Sequence, residues 1–484
     1  MDVKVDVEVL IVGAGISGLS LACWLKKLAP SRSFEIFEAR DRIGGTWDLF
    51  RYPGIRSDSE MFTLGFAFKP WRDDDAIASG DKIMEYLDDT VKEFSLNDHI
   101  RLGHKVLAAN WNQKSQLWEV EFVSGKGKAK KIHARFLYMG TGYYDYEKPF
   151  DPEIKGQKSF AGELFHAQFW PANLEYSGKN VVIIGSGATA LTVIPTMAKS
   201  AARVTMLQRS PSYVFNRPKK DLFANIVKRI LPANLAYDLT RLKFTFLSRL
   251  ANNHILKHPE DARKRMLDLM KRDLPKGFDM RHFTPSYNVW DQRVCAAPDG
   301  DFFTAVKSGN VDVVTGHISR ITKSSIELVD GNKIDADIIV KATGLNLIAG
   351  PKFKLSIDGK AVDISKSIIY KGAMFSNVPN FAFVFGYLMA SWTLKADLVA
   401  RFFIRFMDEV ETKGAKSGTP FLDINTVTPT PMFNFSSGYI TRSIDKLPKQ
   451  TEHFPWQINQ DYKLDKNIFL VMPIDDGVLK FGGE

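Results

Sequence analysis

From Val7 to Leu25 the chain reads VEVLIVGAGISGLSLACWL: an apolar run, a turn with glycines at 13, 15 and 18, then apolar positions at helical spacing. That pattern predicts a buried strand, a tight turn and a packed helix. A second short strand, in FEIFEAR at 34–40, ends beside Glu38. The same succession returns in KNVVIIGSGATALTVIPTMA at 179–198, with its second strand in ARVTMLQRSP at 202–211. Each copy closes on an apolar strand that runs into a Thr-Gly turn, Thr141-Gly142 in ARFLYMGTGYY and Thr343-Gly344 in ADIIVKATGLN. Strands alternating with helices predict mostly parallel sheets covered on both faces.

One stretch breaks the alternation. ANIVKRILPANLAYDLTRLKFTFLSRL, residues 224–250, keeps a helical period throughout, so a helical subdomain is expected inside the second copy. After about residue 375, NFAFVFG predicts another strand, returning to the first copy.

The glycine spacing carries chemistry. Gly13 permits the tight turn, Gly15 lets backbone approach a pyrophosphate, and Gly18 allows helix and strand to pack closely. The free N–H groups of the helix start then face the phosphates. Glu38, twenty residues past Gly18, is placed to accept hydrogen bonds from a ribose 2′-hydroxyl, which points to FAD or NAD. The second copy has Gly185, Gly187 and Ala190 in the same frame, but Gln208, Arg209 and Ser210 where an acidic residue is expected. A cation and a hydroxyl suit a 2′-phosphate, so this half is expected to take NADPH/NADP+. Two different nucleotides on one chain imply electron transfer between them.

The expected fold class is therefore α/β: two Rossmann-like dinucleotide-binding domains, for FAD and NADP, with an inserted helical subdomain. The expected boundaries are 1–145 for the first part of the FAD domain and 146–214 for the first part of the NADP domain, including a linker at 160–171. The basic helical insertion follows at 215–289, the second part of the NADP domain at 290–374, and the FAD-domain return with the C-terminal segment at 375–484.

Composition changes this picture little. With 484 residues, 45% hydrophobic and 25% charged, the chain is that of an ordinary soluble protein of two to four domains. The longest apolar run, NVPNFAFVFGYLMASW, contains Pro379 and Gly386 and is too short to span a bilayer. No basic leader or cleavage signal opens the sequence, and a cytoplasmic location is expected. Cys23 and Cys295 make no disulfide framework and read as small apolar fillers. The net charge of +10 is concentrated: 15 Lys and Arg against 6 Asp and Glu lie between Arg217 and Lys276. Such a basic helical face is either solvated or drawn to a polyanionic cofactor or an anionic membrane surface, giving peripheral membrane contact. No nucleic-acid-binding module accompanies the charge. His254 and His258 have the i, i+4 spacing of a helical metal pair, but no Glu joins them and the helix is basic; no metal is expected.

A flavin fed by NADPH can reduce a disulfide, reduce a quinone or activate oxygen. No C-x-x-C pair is present for the first. In GGTWDLFRYPGIRSDSEMFTLGFAF, residues 44–68, Gly44 and Gly45 let backbone pass beside a flavin and Trp47 offers an aromatic wall. Arg51, Arg56 and Asp58 bring charge into a segment otherwise fit for burial. This stretch, together with FAGELFHAQFWP at 160–171, resembles the type I Baeyer–Villiger monooxygenases. Their fingerprint, F-x-G-x-x-x-H-x-x-x-W-P, is matched at Phe160, Gly162, His166, Trp170 and Pro171. IGSGATA, MLQRSP, WDQR and ASWTLKADL are similar in particular to the ethionamide-activating monooxygenase branch.

The resemblance implies conversion of ketones to esters or lactones through a C4a-peroxyflavin formed with O2, and oxidation of sulfides or thioamides as well. The alternative is a flavin-containing N- or S-monooxygenase acting through hydroperoxyflavin. The resemblance further implies that Arg293, in YNVWDQRVCAAPDGDFF, stabilises the oxygenating adduct and that Asp58 positions it. FAD contacts are implied for Ser17, Glu38, Thr46, Trp47, Asp48, Leu49, Asp58 and the backbone of Val106. NADP contacts are implied for Arg56, Ser57 and Asp58, for the loop Gly185, Ser186, Gly187, Ala188, Thr189, Ala190 and Leu191, and for Gln208, Arg209 and Ser210. His166 is expected to hold the linker by hydrogen bonds. Trp392 is expected to line the substrate or nicotinamide pocket, or to pack in the core. Two departures from the family stand out: Gln292 replaces the Lys that often precedes the arginine, and Met389 replaces an Asn.

Overall fold

The computed structural model describes residues 3–348, 350–433 and 437–483. Its first sheet is built around β1 (Val7–Val12), parallel to β2 (Phe34–Phe37) on one side and to Lys130–Met139 on the other. Val9, Leu10 and Ile11 have no exposed surface, as expected of a parallel strand covered on both faces. β3 (Ile100–Arg101) extends the sheet beyond β2. On the other side an antiparallel meander of β4 (His104–Asn112), β5 (Leu117–Ser124) and β6 (Lys130–Met139) widens it. The turn after β1 leads into a helix at Ile16–Leu28 whose last turn carries Lys26 and Lys27, favourable at the negative end of the helix dipole. Gly13 has φ +102°, and a Cβ on Gly18 would lie 1.9 Å from the carbonyl oxygen of Gly13. Only hydrogen fits at 18, and so the helix sits directly on the turn.

The second sheet is wholly parallel. It contains β7 (Glu163–His166), β8 (Asn180–Ile184), β9 (Arg203–Gln208) and two later strands, Val311–Thr315 and Ile338–Lys341. Ile338–Lys341 lies between β7 and β8, with β7 at the edge. A helix at Ala188–Met197 follows the second glycine turn. Beside this domain β10 (Val214–Arg217) pairs in parallel with β11 (Cys295–Pro298), which begins two residues after Arg293.

Two features depart from the expected boundaries. The chain re-enters the first sheet well before residue 375. Lys354–Ile357 pairs with β4 and Lys360–Ala361 with Lys354–Ile357, after a bridge between Tyr144 and Leu347. The first of these strands lies in KFKLSI at 352–357, whose polar and apolar residues alternate at strand period, but with no continuous apolar run its place in the first sheet is set by pairing with β4. Phe381–Phe383 then pairs with β6.

The helical segment is also shared between the domains. Its helices span Leu222–Ile230, Ala233–Lys257 and Pro259–Asp273. The long middle helix docks on the first domain: Tyr237 donates to the Phe66 carbonyl (3.0 Å), and Arg241 donates to the carbonyls of Phe62 and Gly65 (2.9 Å each). The third buries Ala262 and Met270 in the apolar core of the second. Among the described residues no helix is long and apolar enough to cross a membrane.

Candidate functional site

A cavity of about 800 Å³ brings the two glycine turns together: Gly13 and Gly15 line it from the first, Ala188 and Thr189 from the second. Gly15 precedes the helix Ile16–Leu28 and Gly187 the helix Ala188–Met197, with no side-chain cap and no acidic residue in either first turn. The leading N–H groups are therefore left for an anion, and the helix dipoles favour one. A Cβ built on Gly15 would meet only the backbone of Gly45, its Cα nearest at 3.7 Å, so a side chain there would stand in the cavity. Glu38, at the end of β2, accepts the N–H groups of Ala14 (2.7 Å) and Arg40 (2.9 Å). Burial raises its pKa, and those two hydrogen bonds oppose the rise. A carboxylate has about four acceptor positions, so two remain. Bare amides, a glycine cradle and a terminal carboxylate fit a dinucleotide such as FAD.

Ser17, Gly45, Thr46, Trp47 and Val106 also line this space. Val106 lies at a bulge in the β4–β5 ladder. Trp392, first residue of the helix Trp392–Thr412, donates its indole N–H to Ser17 Oγ at 2.8 Å and stacks on Tyr143 (centroids 4.8 Å apart, planes at 18°). It is thus a wall of the cavity whose polar end is already bound.

Arg293 and Asp58 meet in the same cavity although 235 residues separate them. Arg293 Nη2 donates to the Tyr143 hydroxyl at 3.1 Å, and that hydroxyl donates on to Tyr144 at 2.9 Å. Burial raises the pKa of the Asp58 carboxyl, and the guanidiniums of Arg293, Arg56 and Arg217, in that order, oppose it. The surroundings of Asp58 are held by further arginine contacts. Arg217 donates to the Asp58 carbonyl at 3.3 Å and pairs with Glu60, while Arg56 pairs with Asp301 across the domains. Ser57, buried, accepts the Ala78 N–H at 3.2 Å and so fixes the loop that carries Asp58.

Other expected residues stand back from the cavity. Gly18, Ala190 and Leu191 pack the helices beneath it. Asp48 is buried among Arg40, Arg42 and Arg51, and neither it nor Leu49 lines the space. Gly185 holds a left-handed turn against Ala342, and Ser186 Oγ bonds Ser212 Oγ (2.9 Å) and the Ser210 carbonyl (3.1 Å). Arg209 and Ser210 are exposed at the end of β9. Gln208 is the clear exception to the expected nucleotide set. Its side chain turns inward, donating to the His282 carbonyl (2.7 Å) and to Thr315 Oγ1 (3.0 Å), because the strand's alternation points it into the domain.

The fingerprint residues do not line the cavity either. They form the edge of the second sheet. A Cβ on Gly162 would lie 2.0 Å from the Asp337 carbonyl oxygen, Phe160 packs with Gly162 on the sheet's apolar face, and Trp170 meets Phe165 edge-on at 5.1 Å, with Pro171 ending the turn. His166 is buried, and its Nδ1 accepts the Gln168 N–H at 3.1 Å; burial lowers its pKa, so it is neutral near pH 7.

Sequence reasoning missed several residues of the cavity, Tyr143 and Lys352 among them. Tyr143 follows the Thr141-Gly142 turn directly, a positional signal that would have found it. Lys352 has none. Its ammonium lies 4.1 Å from the centre of the Tyr146 ring and donates to the Tyr144 carbonyl; burial pushes its pKa down to about 8.

Residues 6–412 match the flavin-binding monooxygenase-like family. The chain is 45% identical over 477 residues to a probable FAD-binding monooxygenase, AlmA, of Acinetobacter baylyi, covering 98% of this chain and 96% of that protein. It is 44% identical over 476 residues to the FAD-containing monooxygenase EthA of Mycobacterium tuberculosis, covering 98% and 97%. Among solved structures, OTEMO in complex with FAD and NADP superposes with a TM-score of 0.73 at 21% identity, over 86% of this chain and 88% of that one. Cyclohexanone monooxygenase from Rhodococcus sp. Phi1 bound to NADP+ gives 0.71 at 20% identity, over 86% of each. These structures share the two-domain architecture described above.

Proposed function

This chain belongs to the flavin-binding monooxygenase-like family, and we propose that within it the protein is an NADPH- and O2-dependent Baeyer–Villiger monooxygenase that also oxidises sulfides or thioamides. The overall reaction is ketone, O2, NADPH and H+ giving ester or lactone, NADP+ and water. FAD and NADPH, when bound, supply hydride transfer and the activation of oxygen, which no side chain provides.

The chain's own residues hold and polarise. Gly13, Gly15 and the helix start at Ile16 take the FAD diphosphate, and Glu38 its ribose. The helix start at Ala188 and the exposed Arg209 and Ser210 take NADPH, with the 2′-phosphate on Arg209 because Gln292 supplies no cation. Arg293 is the catalytic residue. Its guanidinium stays charged at any working pH and faces a low-dielectric cavity, where a fixed cation stabilises developing negative charge far better than it would in water. Asp58 and the Tyr143 hydroxyl hold that guanidinium in place. Tyr143 and Trp392 close the wall behind it and keep water from the reacting centre.

The observation that carries this reading is the convergence of Arg293 and Asp58 in the one cavity shared by both glycine turns. Arg293→Ala is expected to lower ester formation from ketones at least 100-fold, the usual cost of losing one such stabilising group. Reduction of the bound flavin by NADPH is expected to persist. Ester formation at the wild-type rate in that variant removes the assignment. Wild-type enzyme that oxidises NADPH and converts sulfides to sulfoxides, with no ester from any ketone, assigns the protein to the N- or S-oxygenating class instead, and NADPH oxidation that yields only hydrogen peroxide with every ketone removes the Baeyer–Villiger reading.

A further inference from the structure

Of the 23 exposed large hydrophobic side chains among the described residues, 11 fall between Leu222 and Leu256. On the long helix, Leu235, Leu239, Leu242, Phe246 and Leu250 are spaced four, three, four and four apart and so share one face, all of them exposed. The opposite face, with Ala236, Tyr237, Thr240 and Arg241, is the one buried against the first domain. The preceding helix adds Leu222, Ile226 and Ile230, exposed at 79%, 56% and 73%. From Leu235 to Leu250 the stripe is roughly 22 Å long at helical rise. A contiguous apolar surface of this size marks an interaction site.

The surrounding charge says what covers it. The excess of 15 cations over 6 acidic residues between Arg217 and Lys276 nearly equals the net charge of the whole chain, +10. Lys220, just before the first of these helices, and Arg229, Lys257 and Lys264 on them are exposed and enter no ion pair with described residues. A second copy of the same face would bring like charge onto like charge. An apolar stripe on a helix lying flat against its domain, in a segment this rich in exposed Lys and Arg, has the composition of a helix that rests in a lipid interface. We propose that the helices Leu222–Ile230 and Ala233–Lys257 dock this protein on an anionic bilayer, burying the Leu235–Leu250 stripe among the acyl chains while the flanking cations meet the headgroups. The protein rests on the membrane without crossing it.

Co-sedimentation of the full chain with vesicles tests this. The protein is expected to pellet with vesicles of phosphatidylcholine and phosphatidylglycerol, to remain largely in the supernatant with phosphatidylcholine alone, and to be released by salt. Lys220→Ala with Arg229→Ala is expected to weaken binding roughly thirtyfold, at about 1 kcal/mol per cation near an anionic surface. Leu242→Glu with Phe246→Glu is expected to abolish it at unchanged thermal midpoint and circular dichroism. If the wild type fails to bind either vesicle, or the glutamate variant binds as well as the wild type, the proposal is overturned. It is equally overturned if gel filtration shows a dimer that the glutamate variant breaks and vesicle binding is absent, since the face is then a subunit interface. The alanine pair alters only exposed side chains, so it still decides the question if the glutamate variant fails to fold.

Discussion

Removing the Arg241 guanidinium tests how the helical segment is held to the first domain. Its side chain and that of Asp397 are 8% and 5% exposed, with Arg241 Nη2 3.4 Å from Asp397 Oδ2. Asp397 also accepts the Ser20 hydroxyl (2.6 Å) and the Ala67 N–H (2.7 Å), and Arg241 satisfies the carbonyls of Phe62 and Gly65. Arg241→Met keeps the length of the side chain but leaves one buried carboxylate without a counter-charge and two carbonyls without a donor. Breaking a buried pair in this way costs about 3–5 kcal/mol. Asp397→Asn leaves the guanidinium buried and uncompensated, with a cost of similar order. The double variant holds no buried charge, so it is expected to recover at least about 2 kcal/mol of the summed loss. The sign with pH follows from the carboxyl. Burial holds the pKa of Asp397 above its ordinary value, and Arg241 is the largest influence opposing that. Without Arg241 it rises further, and the native variant then takes up a proton at a pH where the unfolded carboxyl is ionised. The deficit of Arg241→Met is therefore largest at neutral pH and shrinks as pH falls towards that raised pKa. Urea unfolding followed by circular dichroism and by tryptophan fluorescence, with coincident transitions, measures all three variants at two pH values. An Arg241→Met deficit below about 0.5 kcal/mol, or strict additivity in the double variant, refutes the reasoning.

Two further outcomes follow from the glycines and the thiols. Gly18→Ala forces a Cβ to within 1.9 Å of backbone and is expected to cost 2–3 kcal/mol or more, whereas Gly15→Ala is expected to fold normally and to lose bound flavin; thermal melts with the flavin-to-protein absorbance ratio separate the two, and a fully flavinated Gly15→Ala counts against the cradle. Cys295 is buried with its pKa pushed up to about 12 and Cys23 is raised as well, so both remain protonated near neutrality; native protein is expected to show no rapid reaction with a disulfide reagent at pH 8 and two thiols after denaturation, and one fast-reacting thiol in the folded state contradicts this.

The parts legible along the chain are those with short-range causes. A glycine with a positive φ or with no room for Cβ leaves its mark within a few residues, as Gly13 and Gly18 do, and an apolar run such as Val7–Val12 announces a strand buried on both faces. The two turns, their helices and the strands after them were therefore readable, together with the resemblance built on Arg293, Asp58 and the fingerprint. Where a side chain points was less so. Gln208 ends a strand at the position of a nucleotide contact, yet the strand's alternation aims it into the domain beneath.

What only the tertiary structure decided depends on segments far apart in the chain. Lys354–Ile357 lies in a short alternating run, but which sheet it joins was decided by β4, some 250 residues earlier, whose hydrogen bonds it takes up. Lys352 owes its lowered pKa to walls contributed from elsewhere, and nothing beside it in sequence hints at burial. The long basic helix advertises its charge and its period, but which face docks and which stays open was set by carbonyls at Phe62 and Gly65 that capture Arg241. Backbone conformation and apolar patterning are local, so the sequence by itself determined the turns and most of the strands. Electrostatic environment and exposure are summed over neighbours that only folding brings together, and so the tertiary structure alone decided them.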